Sequence, residues 1–207
     1  MEFRASTLPD PDWKWADEET QEKIFDHLTP DAYFMILFSA THGTRPGETR
    51  ALQHRDIDIK NDLVTVQRAF ADNDLRPFTK SKRVCILPLD PAWKQFYLSR
   101  PRHVDAEGFV FSDAEGKPHG RNWCRNQWNA AREAAGVAHI TLYQGTRHSI
   151  ASQAVNRGVA LYSVSRFLGH SNLEQTKRYS HLEVNPLRLV QRQATVSRLP
   201  LKTTSAE

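Results

Sequence analysis

Several side chains in this sequence have the type and placement needed to act on a phosphate. Arg45, in Gly43-Thr44-Arg45-Pro46-Gly47-Glu48, stands just before a helix that Pro46 opens. Backbone N–H groups at a helix start point outward, and an arginine there can fork two more N–H groups toward an anion. Glu48 lies three residues on, on the same helix face, where it can hold the guanidinium. Arg147, in Tyr143-Gln144-Gly145-Thr146-Arg147-His148-Ser149, reads as the start of a second helix with apolar positions Ile150, Ala151, Ala154 and Val155. His170 sits in the turn Leu168-Gly169-His170-Ser171, and Tyr179 follows nine residues later in the next helix. A tyrosine hydroxyl is a possible nucleophile. Lys80, in Thr79-Lys80-Ser81-Lys82-Arg83, lies in a turn before a strand. Together these groups offer two anion sites and a hydroxyl nucleophile. Each also has a plainer reading: a surface ion pair for Arg45, a solvated arginine beside a core histidine for Arg147, a packing residue for Tyr179, an exposed turn for Lys80.

The elements that must position these residues are legible in outline. Residues 1–16 hold three prolines and no periodicity, and read as an arm or linker. From Asp17 the pattern is helical, with Ile24, Phe25 and Leu28 on one face. Pro30 opens a second helix through Phe34, Ile36, Leu37 and Phe38, which Gly43 ends. A third runs from Pro46 to about His54. LVTVQRAF (63–70) and RVCILPL (83–89) read as strands of one small antiparallel sheet, with FVF (109–111) a third strand or a buried loop. Further helices are expected at 121–135, 147–157, 161–168, 172–182 and 186–197. The fold class is therefore mainly α with a small antiparallel β-sheet (α+β).

Composition narrows the class of partner. No run of 18 apolar residues exists, so no transmembrane helix is expected, and the N-terminus lacks the pattern of a secretory signal. Two cysteines make no disulfide framework and fit a reducing compartment. The nine histidines are scattered, and no Cys-x-x-Cys or His-Glu-x-x-His is present, so no metal or other cofactor is expected. The net charge is +4, unevenly spread: residues 1–31 carry nine acids and three bases, a net of −6, which leaves +10 on the rest. A basic body suits a polyanion such as nucleic acid, because each phosphate contact releases a counterion.

No single segment is specific, but their order is. Arg-x-x-Glu, a turn lysine eight residues before Pro88, Arg-His-Ser, Leu-Gly-His-Ser, and a tyrosine nine residues after that histidine follow one another along the chain. In this the sequence resembles the tyrosine recombinases, the phage-integrase family. The segment LGHSNLEQTKRYSH carries most of the likeness and THGTRPGETRAL adds to it. The resemblance implies a recombinase catalytic domain over 17–185, after an arm or interdomain linker at 1–16 and before a C-terminal helix and tail at 186–207 that is either exchanged between protomers or packed on its own body. It implies site-specific DNA recombination or integration through a covalent 3′-phosphotyrosyl intermediate on Tyr179, without metal or ATP. Arg45 and Arg147 would grip the non-bridging oxygens, Lys80 would protonate the leaving 5′ oxygen, and His170 would hydrogen-bond the phosphate. Glu48 and His148 would support the site. Gln144 occupies the position where the family usually has histidine. Glutamine cannot take a proton at neutral pH, so water, the phosphate, His148 or a nearby tyrosine would deprotonate Tyr179. The implied partner is double-stranded DNA, bound by a homotetramer in the cytoplasm at the nucleoid of a bacterium or phage host. Two rival readings share these features: a DNA-binding regulator that does not cut, and a type IB topoisomerase-like relaxing enzyme.

Overall fold

The computed structural model describes residues 14–100 and 105–170. Tyr179, the helices expected at 172–182 and 186–197, and most of the arm at 1–16 lie outside the described residues.

Local signals set most helix ends. Asp17 caps α1 (Glu18–Phe25) by accepting a hydrogen bond from the Thr20 amide at 2.9 Å. Proline opens α2 (Pro30–His42), where its missing N–H would have had no helical partner. This helix is the centre of the domain: Ala32, Phe34, Met35, Ile36 and Phe38 are all buried. Its C-cap is Gly43. Next comes the short α3 (Pro46–Arg50), which ends sooner than the sequence suggests. Gln53 leaves the helical path to bridge Phe109, and its amide donates to the Asp56 carboxylate at 2.8 Å.

Five strands follow: β1 (Ile57–Asp58), β2 (Leu63–Val66), β3 (Ala69–Ala71), β4 (Asp74–Arg76) and β5 (Cys85–Pro88). They form two sheets rather than one. One is antiparallel in the order β1-β2-β5, and the other is a β3-β4 ribbon. The stretch expected as one strand at 63–70 breaks at Gln67 and Arg68. Both side chains turn toward the buried Asp56: Gln67 donates to Oδ1 at 2.9 Å and Arg68 donates to Oδ2. On the inner face of the larger sheet Val64 pairs with Leu87, and both are buried. The FVF segment is a buried loop with a single bridge at Phe109.

The sequence reading does not place α4 (Pro91–Ser99), which Asp90 caps through the Trp93 amide. Trp93 is fully buried, stacks on Phe34 at 5.1 Å, and donates its indole N–H to the Phe34 carbonyl at 3.0 Å. Burying a large apolar side chain such as Phe34 or Phe38 stabilises by roughly 1.5–3 kcal/mol. The remaining helices are α5 (Trp123–Ala134), α6 (Ser149–Asn156) and α7 (Leu161–Phe167). A single π-helical turn, Gln144–His148, leads into α6. Among the described residues no helix is long and apolar enough to cross a membrane.

Candidate active site

Arg45 is the N-cap residue of α3, and Glu48 holds it at two points. The Arg45 amide donates to Glu48 Oε2 and its Nη1 donates to Oε1, both at 2.9 Å. Glu48 is buried while Arg45 stays partly open to solvent. Behind them the hydroxyl of Thr49 meets those of Thr44 at 2.7 Å and Ser39 at 2.9 Å, in full burial. This ties the Gly43–Arg45 turn to α2.

Arg147 is the most deeply buried basic group of the set, at 2% exposure. It does not begin a helix. It lies in the π-helical turn, one turn into a helical path that starts at Leu142. A π-turn inserted in a helix is uncommon and is often found at functional sites. Trp128 fixes this one from below: a Cβ at Gly145 would lie 2.1 Å from its ring, so only glycine fits. From the side, Gln21 donates to the Gly145 carbonyl at 2.7 Å and Ser149 Oγ donates to the Gln144 carbonyl at 2.8 Å. The Ala16 amide in turn donates to Ser149 Oγ at 2.8 Å.

From this turn the Arg147 guanidinium donates to the Gly43 carbonyl at 2.5 Å and the Leu168 carbonyl at 2.6 Å. It thus pins the segment before Arg45 and the segment before His170 to one point. Arg45, Glu48, Arg147 and Gly169 line one narrow depression, with Thr79 and Cys85 on its sheet side. Lys80 is exposed in the turn between β4 and β5, and shares a second depression with Arg45 and Glu48. His170 is half-buried in a groove with Arg83, Cys85 and Arg166, adjoining the first depression at Gly169. The structure therefore brings Arg45, Arg147, Lys80 and His170 to adjoining surfaces, with Glu48 beneath.

Gln144 is not among the residues that line these depressions. Its side-chain oxygen accepts from the Thr141 amide and hydroxyl, each at 2.9 Å, and the Gln144 amide donates back to Thr141 Oγ1 at 3.2 Å. That is a reciprocal capping box at a helix start. His148 is buried, with its ring edge-on to Tyr143 at 4.6 Å.

Two lining residues escape the sequence reading. His42 is buried, and its Nε2 accepts from the Asp90 amide at 3.1 Å, which places the ring proton on Nδ1, beside the Phe38 carbonyl at 3.1 Å. Burial lowers its pKa to about 4, so the ring is neutral near pH 7. The Cys85 thiol is pushed up, first by burial and then by the Glu48 charge. No pattern in the sequence marks either one. Among the described residues no cluster of His, Cys, Asp or Glu could hold a metal ion.

Comparison with known proteins matches residues 14–185 to the phage integrase family. The chain belongs to this family. Curated relatives include the tyrosine recombinase XerC of Halalkalibacterium halodurans, 26% identical over 181 residues, covering 84% of this chain and 60% of that protein. XerC of Bacillus pumilus is 28% identical over 183 residues, covering 83% of this chain and 58% of its own length. The chain thus spans about three fifths of these relatives. Among solved structures, the catalytic domain of bacteriophage HP1 integrase superposes with a TM-score of 0.64 at 19% identity, covering 89% of this chain and 97% of that one. The Tn1549 transposon integrase in complex with transposon right end DNA gives 0.71 at 17% identity, covering 94% and 69%. These likenesses establish the integrase catalytic-domain fold for this chain.

Proposed function

We propose that this phage-integrase-family chain is the catalytic part of a site-specific DNA recombinase. The Tyr179 hydroxyl gives up its proton to water, the scissile phosphate, His148 or a nearby tyrosine, and its oxygen attacks a backbone phosphorus, forming the Tyr179 O–P bond as the bond to the 5′ oxygen breaks. Lys80 gives a proton to that leaving oxygen, and a 3′-phosphotyrosyl link remains. Arg45 and Arg147 offset the charge that builds on the non-bridging oxygens, and His170 hydrogen-bonds one of them. Glu48 positions Arg45. The phosphotyrosyl bond conserves the energy of the diester, so attack by a 5′ hydroxyl of a second strand restores the backbone without ATP. Gln144 holds the helix start and takes no proton.

One observation supports this reading above the rest: the buried Arg147 ties together the segments that carry Arg45 and His170, with Lys80 beside Arg45. Double-stranded DNA is the partner, and by analogy a tetramer assembles on two sites in the cytoplasm, passing the segment at 186–207 between protomers. The arm at 1–16 precedes this catalytic unit at 17–185. The test is a nicked duplex built from DNA recovered on the protein, whose short 5′ fragment diffuses away after cleavage. A covalent adduct should accumulate with the natural chain and vanish in Tyr179→Phe. DNA binding with no adduct would favour a non-cutting regulator, and relaxation without joining of two duplexes would favour a topoisomerase-like enzyme.

A further inference from the structure

The π-turn that carries Arg147 has one carbonyl served from a distant element. The Ser149 amide donates to the Gln144 carbonyl, five residues back, and not to Gly145, four back, its partner in an ordinary α-helix. The Gly145 carbonyl instead accepts from the side chain of Gln21 on α1, at 2.7 Å and across 124 residues of sequence. Gly145 is buried. A buried carbonyl that loses its donor is costly, so this bond bears on which form the turn takes.

The direction of the Gln21 amide is itself fixed. Its Oε1 accepts from Gln153 Nε2 at 2.9 Å, which leaves its own Nε2 to face Gly145. Gln153 Nε2 also donates to the Ala16 carbonyl at 3.0 Å, so one amide of α6 ties down both Gln21 and the chain entering α1. Ile24 lies three residues after Gln21 on the same helix face, is fully buried, and seats that face against the core. Gln21 lines none of the depressions around Arg45, Lys80 and His170. It can act on the site only through the turn.

We infer that Gln21 is a positioning residue for strand cleavage: by serving the Gly145 carbonyl it keeps Gln144–His148 a π-turn, and the π-turn keeps the Arg147 guanidinium on the carbonyls of Gly43 and Leu168. The inference rests on the proposed function for the reaction, and on these hydrogen bonds alone for the hold on Arg147. An α-helix turns by about 100° per residue, so shedding the extra residue of the π-turn would rotate one side of it against the other by about that much. Arg147, two residues past Gly145, would then no longer span two carbonyls on separate segments. Misplacing an activating group by about 1 Å can cost about 10²-fold in rate.

The experiment uses the 207-residue chain with isotope-labelled arginine, and two variants. Gln21→Glu keeps the size and the bond from Gln153, but an ionised carboxylate has no proton to donate. Gln21→Met removes the donor without adding charge. Thermal melts set a temperature at which all three proteins are folded. There, adduct formation on the nicked duplex at saturating DNA should fall by about 10–10²-fold in both variants. The DNA affinity of Gln21→Met should stay that of the natural chain. In the NMR spectrum of the natural chain the Arg147 Nη protons, locked on two carbonyls, should give separate resonances, assigned by their loss in Arg147→Lys. In both variants they should merge. A natural rate or natural resonances in a folded variant overturn the inference, because Gln21 then contributes packing alone; merged resonances in the natural chain overturn it as well. No adduct from the natural chain sinks the recombinase reading, and the resonances then decide the hold on Arg147. An adduct together with unchanged variants sinks the role of Gln21 alone.

Discussion

The guanidinium of Arg147 donates to the carbonyl of Gly43 across 104 residues of sequence. A second donor of the same group reaches the Leu168 carbonyl. One side chain therefore fixes the turns that lead to Arg45 and to His170. Arg147→Ala should remove cleavage and also destabilise the domain by about 2–4 kcal/mol, because two buried carbonyls lose a partner. Arg147→Lys keeps the charge but has no fork to span both carbonyls, and adduct formation should fall by about 10²–10³. Single-turnover trapping together with urea unfolding separates the two effects.

Gly43 has φ of +61°, and a Cβ there would lie 2.9 Å from Leu168 Cδ2. Gly43→Ala should therefore cost about 1–3 kcal/mol, through left-handed backbone strain and crowding together. The urea midpoint should drop with little change in slope. The Arg147 contact should loosen as well, so the adduct should form more slowly even at a temperature where the variant is folded.

His42 makes stability depend on acid. Its pKa is about 4 in the fold against 6.5 without it. Between those values the unfolded chain binds a proton that the folded chain does not, so stability falls as pH drops from about 6.5 toward 4. The loss should reach about 3 kcal/mol at the low end. Urea unfolding from pH 4 to pH 8 reads it. His42→Gln should flatten that part of the curve, and an equally steep curve in the variant would remove His42 as the source.

Gln144 should behave as a cap and not as a base. Gln144→Ala should cost about 0.5–2 kcal/mol by loss of the capping box with Thr141. At a temperature where the variant is fully folded, its adduct-formation rate should keep the pH dependence of the natural chain. A rate that collapses and recovers only at high pH would show that Gln144 takes part in proton transfer.

What the sequence discloses follows from the range of the interactions. Arg45 and Glu48 sit three residues apart on one short helix, so their pairing is readable from spacing alone. The Thr141-x-x-Gln144 capping box is equally local. The break between β2 and β3 depends on Asp56, eleven and twelve residues from its partners, and an alternating pattern does not disclose it. The helix α4 is only nine residues long and begins at a proline, so its periodicity is weak. Arg147 reads as a helix start because glycine and threonine precede it. Its π-turn arises from Trp128 and Gln21, both remote in sequence. His42 ends an apolar helix, and nothing near it indicates that Asp90 will meet its ring.

A phenolic oxygen on this chain should become bonded to DNA. Mass spectrometry of the tryptic peptides from the trapped adduct tests it most directly. The expected result is one nucleotide-bearing peptide, with the added mass on Tyr179 through a 3′ phosphate, and none when Arg147 is replaced by alanine. An adduct on another residue, a 5′ linkage, or an equal yield from Arg147→Ala would mean that Tyr179 and Arg147 do not carry the cleavage.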